Sequence, residues 1–129
     1  MKIRNLLVAV SLAGIASAAA AAMDVISATD QKVANKSVIA ASVSASKAGY
    51  LVVHKADATG TNPGKIIGNV AVQAGENKDV TVPLTSDVKA GSKLILMLHE
   101  ESNGDAKFDE KDKPVMVDGK MVMQAITVQ

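Results

Sequence analysis

The 129-residue chain carries 14 basic and 13 acidic residues, contains no cysteine, and has only two aromatic residues, Tyr50 and Phe108. The absence of cysteine excludes disulfide bonds, a lipid-modified amino-terminal cysteine and a blue-copper centre. The near balance of charge and the scarcity of aromatic rings argue against nucleic acid as a partner, because such surfaces need excess positive charge and rings for stacking.

The amino terminus is typical of a secretory signal peptide. Lys2 and Arg4 form a short basic region, residues 6–15 are apolar, and residues 16–22 are small. We predict cleavage before Met23, which leaves one domain over residues 23–129 in the periplasm or secreted, with no membrane span. The alternative is an uncleaved anchor, but a span needs about 20 strongly apolar residues and this segment is rich in alanine.

The rest of the chain is patterned as short β-strands. Apolar and β-branched runs alternate with turn residues, and Asp118-Gly119 is a two-residue hairpin signal. No segment after residue 22 has a convincing helical period. Strands are predicted over 24–28, 37–44, 49–54, 65–72, 79–84, 93–99, 115–117 and 120–128, with turns over 47–49, 60–64, 74–77 and 89–92. About seven short strands with this spacing predict an all-β antiparallel sandwich or barrel.

Several blocks, in this order and spacing, resemble a family of exported domains of unknown function. These are GYLVVH at 49–54, AGEN at 74–77, LH at 98–99, NGD at 103–105 and DKPV at 112–115. The family is common in haloarchaeal secreted proteins and is also found in bacteria, and the resemblance covers roughly residues 37–128. It implies a small immunoglobulin-like antiparallel β-sandwich. The chain lacks the strong acidity of haloarchaeal members, which favours a bacterial envelope.

Catalytic motifs are scarce. The chain has two histidines, no G-x-S-x-G sequence and no cysteine nucleophile, so an activated nucleophile with an oriented base is not expected. We therefore predict a non-enzymatic module with a structural or interaction role in the envelope or outside it. Its partner would be another envelope or extracellular protein, contacted through an exposed strand edge.

The acidic segment 101–112 is a candidate calcium site, the one cofactor that the sequence suggests. Oxygen ligands at positions 1, 3, 5, 7, 9 and 12 of a twelve-residue loop suit calcium. Here those positions are Glu101, Asn103, Asp105, the Lys107 carbonyl, Asp109 and Asp112. Glu at position 1, Ala106 where a glycine usually turns the chain, and the short Asp112 depart from the usual pattern. The alternative is a solvated acidic hairpin loop.

Copper is the alternative ligand, because thioether and imidazole groups suit this metal. Met97 and His99 alternate on one predicted strand, so they share a face, and His54 ends a strand that would pair with it. Met121 and Met123 form a second alternating pair. The competing interpretation is that the methionines fill core and the histidines lie half exposed at strand ends.

Overall fold

The computed structural model describes residues 23–104, 107–109 and 111–129. The predicted signal peptide over 1–22 lies outside the described residues. Within them, nine strands form: β1 (Val25–Ser27), β2 (Ser37–Ala45), β3 (Gly49–Ala56), β4 (Pro63–Val72), β5 (Gly75–Pro83), β6 (Lys93–Glu100), β7 (Met116–Val117), β8 (Lys120–Met121) and β9 (Met123–Thr127). None of the described segments is a helix long and apolar enough to cross a membrane.

Seven of these strands build two antiparallel sheets. One sheet has the order β1-β2-β5 and the other the order β4-β3-β6-β9, while β7 and β8 form a separate hairpin. The predicted all-β antiparallel sandwich of about seven strands is therefore confirmed. In the four-stranded sheet the central strands β3 and β6 pair from Gly49 with Glu100 to Lys55 with Leu94, which sets the relative positions of the two histidines.

Alternation along the strands places one apolar set between the two sheets. Val38 and Val82 from the first sheet and Leu51, Leu96 and Ile126 from the second are almost fully buried, and each such side chain contributes roughly 1.5–3 kcal/mol of burial free energy. Val80, Val82 and Leu84 alternate along the fifth predicted strand: Val82 and Leu84 are buried in the core, and Val80 packs against it.

The tight turns follow their sequence signals in one case and depart from them in another. Asp118 and Gly119 have φ angles of 52° and 78°, the left-handed pair that a type I′ hairpin requires. The turn predicted over 74–77 is wrong, because β5 already begins at Gly75. The Asn77 side chain instead closes the turn from inside the strand: its Nδ2 donates to the Gln73 carbonyl, and its Oδ1 accepts from the Gln73 N–H.

Gly68 on β4 lies where this strand meets the end of β5, and we predict that Gly68→Ala is destabilising. A Cβ added there would lie 2.5 Å from the Pro83 carbonyl oxygen, so backbone must shift, and the free energy of unfolding should fall by about 1–3 kcal/mol. Asn69→Ala, at the exposed next position, is the matched control and should change it by less than about 0.5 kcal/mol. Urea denaturation that finds the two variants equally stable would contradict the close approach.

Candidate functional site

The central strands bury both of their faces. Opposite the core, alternate residues of β3 and β6 point to the other side of the sheet, and all of them are buried. We call this set the outer face: Tyr50, Val52, His54, Ile95, Met97 and His99. Its burial explains why both strands read as unbroken apolar runs rather than as alternating sequence.

The described residues of the segment 101–112, here called the covering loop, pack on the outer face. The Phe108 ring meets His99 edge-on at 5.1 Å between centroids and Tyr50 at 5.6 Å. The Tyr50 hydroxyl donates to Glu101 Oε1 at 2.5 Å. The two aromatic residues of the chain therefore join the covering loop to the sheet.

Carboxylates hold the covering loop together by accepting hydrogen bonds from its own backbone. Glu101 Oε2 accepts from the N–H groups of Asn103 and Gly104. Asp112 is 2% exposed, and its two oxygens accept from the N–H groups of Ser102 and Asp109. These bonds satisfy backbone donors that the irregular segment cannot pair within a sheet.

The predicted calcium ligands are only partly assembled in the described part of the chain. Asp109 Oδ2 accepts from Asn103 Nδ2 at 2.8 Å, so Asn103, Asp109, Glu101 and Asp112 share one network. Lys107 is exposed, and Asp105 lies outside the described residues. Among residues 23–104, 107–109 and 111–129, no three His, Cys, Asp or Glu side chains are grouped to hold a metal. Calcium binding by this loop stays a prediction.

The two histidines have the same hydrogen-bonding arrangement. His54 Nδ1 lies 2.9 Å from the Gly64 carbonyl oxygen, and His99 Nδ1 lies 2.8 Å from the Asp112 carbonyl oxygen. A carbonyl oxygen can only accept, so each Nδ1 carries the proton and donates. In a neutral imidazole the lone pair then sits on Nε2. Both Nε2 atoms are buried, and within the described part of the chain neither has a hydrogen-bond partner.

The histidine rings also lie next to each other. Their centroids are 5.9 Å apart and their planes differ by 20°. Desolvation by burial lowers the pKa of the His99 imidazole below its ordinary 6.5, opposed by its hydrogen bond to the Asp112 carbonyl, while the neighbouring His54 lowers it further. The site therefore favours a neutral His99 imidazole, since an Nε2–H formed there would be a buried donor without an acceptor among the described residues.

Methionine accompanies the histidines on the outer face. Met97 is buried and pairs with Val52, two pairs along from the Tyr50–His99 pair and on the His54 side of it. Its other cross-strand partner is Met123, which is exposed, as are Met116 and Met121 of the β7–β8 hairpin. The predicted sharing of a face by Met97 and His99 is thus confirmed, and His54 lies on that face too.

Two features of this region were not found from the sequence. One is the attachment of the covering loop to the sheet through Tyr50 and Phe108. The only hint of it in the sequence was that aromatic residues are so scarce. The other is a cavity of about 450 Å³ bounded by the ends of β3 and β6, among Lys55, Asp57, Val88 and Lys93. Its lining carries charges of both signs, so it does not indicate which class of ligand would bind there.

Comparisons with known proteins place the chain among uncharacterised domains. Residues 24–129 match the family model described as Domain of unknown function (DUF7282). Cell surface glycoprotein 2 of Haloarcula hispanica is 26% identical over 106 residues, which cover 80% of this chain and 11% of that protein. The chain thus spans only a small part of the length of this relative. No solved structure matches the chain.

The pKa of His99 predicts a loss of stability in mild acid. Because that pKa is lowered on folding, the unfolded chain binds the proton first as pH falls below 6.5. The free energy of unfolding should then fall by up to about 1.4 kcal/mol per pH unit until the folded pKa is reached. His99→Asn should remove this slope, because Asn can keep the hydrogen bond to Asp112 without titrating. Urea denaturation at pH 7.5, 6.5 and 5.5 measures it, and an unchanged slope in the variant would contradict the assignment.

Proposed function

The chain belongs to the family described as Domain of unknown function (DUF7282), and from this we propose that it is an exported, non-enzymatic β-sandwich module with a structural or interaction role in the cell envelope or outside it. The observation that carries the proposal is the position of the matching segment within a much longer protein named as a cell surface glycoprotein. A segment that occupies 11% of such a protein behaves as one unit among several. The secretory pattern over residues 1–22 supports the same location.

The chemistry of the outer face supports a non-enzymatic role. Each histidine donates from Nδ1 to a backbone carbonyl, whereas the base of a hydrolytic triad is oriented by a carboxylate. The loop carboxylates Glu101 and Asp112 accept backbone hydrogen bonds, so they serve to hold the loop backbone in place. Both arrangements fasten the structure.

The strand order supports an immunoglobulin-like arrangement and a surface for a partner. In immunoglobulin domains the second strand pairs with the fifth and the third with the sixth, as β2 does with β5 and β3 with β6. In the described part of the chain, β5 pairs along its length only with β2. Its other edge offers backbone groups to an added strand of an envelope or extracellular protein.

The proposal makes two claims that can be tested separately: the protein is exported, and it has no catalytic turnover. Full-length protein expressed with a carboxy-terminal tag should be recovered outside the cytoplasm, with an amino terminus at Met23 or next to it by mass spectrometry. A broad hydrolase panel should give no activity above that of an Asp109→Asn variant. Cytoplasmic recovery with an intact amino terminus would contradict export. Hydrolysis that Asp109→Asn abolishes would contradict the non-enzymatic role.

We further propose that calcium stabilises the covering loop. Glu101, Asn103, Asp109 and Asp112 already share a hydrogen-bond network, which gathers in one loop the oxygen atoms that calcium prefers as ligands. Three carboxylates drawn into one loop repel one another, and a divalent cation relieves that repulsion. The expected affinity is in the extracellular range, on the order of 0.1–1 mM.

Calcium should therefore raise the melting temperature. At ten times a dissociation constant of about 0.5 mM, binding adds roughly 1.4 kcal/mol, or about 6 °C. Asp105→Ala should erase the rise, while Asp87→Ala makes the same charge change at an exposed site outside the loop and should preserve it. Equal melting temperatures in about 5 mM calcium and in chelator would contradict calcium binding. The loop would then be stabilised by its own hydrogen bonds alone.

Binding of copper through histidine and methionine ligands is a second candidate function. The specific observation in its favour is the pair of neighbouring imidazoles whose Nε2 atoms are buried without partners. Copper binding is compatible with the proposed exported, non-enzymatic module, because metal binding needs no catalytic turnover.

A further inference from the structure

We propose that the outer face holds one soft monovalent metal ion, Cu(I), between His54 Nε2 and His99 Nε2, with the Met97 thioether as third ligand. The inference deepens the second candidate function and is independent of the structural role proposed for the module. It names the atoms that bind, the oxidation state and the place of the site within the sheet.

The first argument is the tautomer. Each Nδ1 donates to a backbone carbonyl, which leaves the Nε2 lone pair as the only remaining polar function of the ring. Metal-bound histidines usually have this arrangement, in which the distal ring nitrogen donates to a carbonyl or carboxylate and fixes the ring. Here the outer-shell hydrogen bonds of such a ligand pair are already made.

The second argument is the energetic position of the two lone pairs. His54 and His99 are 7% and 6% exposed, and neither Nε2 has a partner. A buried polar atom left unpaired destabilises the fold, and this chain bears that cost twice on one face. An ion bound to both nitrogens would remove both costs together.

The third argument is distance. An ion bound at about 2.0 Å from each of two imidazole nitrogens requires the two rings to be direct neighbours. The observed centroids are 5.9 Å apart. Met97 lies between the two histidines in the strand register, since it pairs with Val52 while His99 pairs with Tyr50 and His54 with Ile95. Its position suits a third, softer ligand.

The character of the ligands selects the ion. Imidazole nitrogen and thioether sulfur are neutral, and thioethers favour Cu(I) over harder ions. No cluster of three His, Cys, Asp or Glu side chains exists in the described residues, so a divalent ion would be buried with little compensating charge. Burial of charge is costly in proportion to its square, so a monovalent ion is favoured over Zn(II) or Cu(II).

A single buried water is the competing occupant. It could donate one hydrogen to each Nε2 and satisfy both lone pairs without metal. The two occupants can be distinguished by measurement. If the site holds only water, the protein has no affinity for the metal there, and added metal does not shift the Nε2 resonances.

The direct test is Cu(I) titration of the exported, purified protein under anaerobic conditions in competition with bicinchoninate. We expect one equivalent to bind and X-ray absorption to show two nitrogen ligands and one sulfur ligand. His54→Asn and His99→Asn can each retain the backbone hydrogen bond but lose Nε2, and should weaken binding about 100-fold or more. Met97→Leu should weaken it about tenfold, and Met116→Leu, at an exposed hairpin position, is the matched control and should have no effect.

A measurement on the unsubstituted protein keeps the test valid if a variant fails to fold. One equivalent of Ag(I), a diamagnetic substitute for Cu(I), should shift the Nε2 nitrogen resonances of both histidines, and Zn(II) at the same ratio should bind more weakly. Unmoved Nε2 resonances with no competition for Cu(I) would overturn the site in favour of buried water. Tighter binding of Zn(II) than of Cu(I) would overturn the monovalent assignment. Neither result would affect export or the structural role.

Discussion

The hydrogen bond from His99 Nδ1 to the Asp112 carbonyl is the interaction on which the arrangement of the outer face depends. It joins the end of β6 to the end of the covering loop, so that Phe108 lies against His99 and Tyr50. It also fixes the proton on Nδ1 and leaves Nε2 as a buried lone pair. It acts together with the Tyr50–Glu101 hydrogen bond, which attaches the other end of the covering loop to the sheet.

The strands themselves could be predicted because their signals are local. Turn residues such as Asp118-Gly119 act within two or three positions, and the alternation of Val80, Val82 and Leu84 shows their common face. The start of β5 was placed four residues late, because Asn77 was interpreted as a turn residue although it closes the turn from within the strand. A side-chain role of this kind has no separate sequence signal.

The site was less predictable because it depends on register and packing. The sequence shows that Met97 and His99 share a face, but the approach of His54 requires the pairing of β3 with β6, which places His54 opposite Ile95 and His99 opposite Tyr50. The sequence also presents Glu101 and Asp112 as cation ligands by their spacing. Their use as acceptors for backbone N–H groups appears only when the loop is folded.

The central strands are buried on both sides, and the outer face carries two neighbouring imidazoles. The central claim is the protonation state of that pair. The most direct measurement is a long-range proton–nitrogen correlation spectrum of the histidine side chains at pH 7.5 in metal-free protein. The hydrogen bonds to the Gly64 and Asp112 carbonyls predict that each ring carries its proton on Nδ1 and leaves Nε2 unprotonated; a proton on Nε2 of either ring would contradict this assignment.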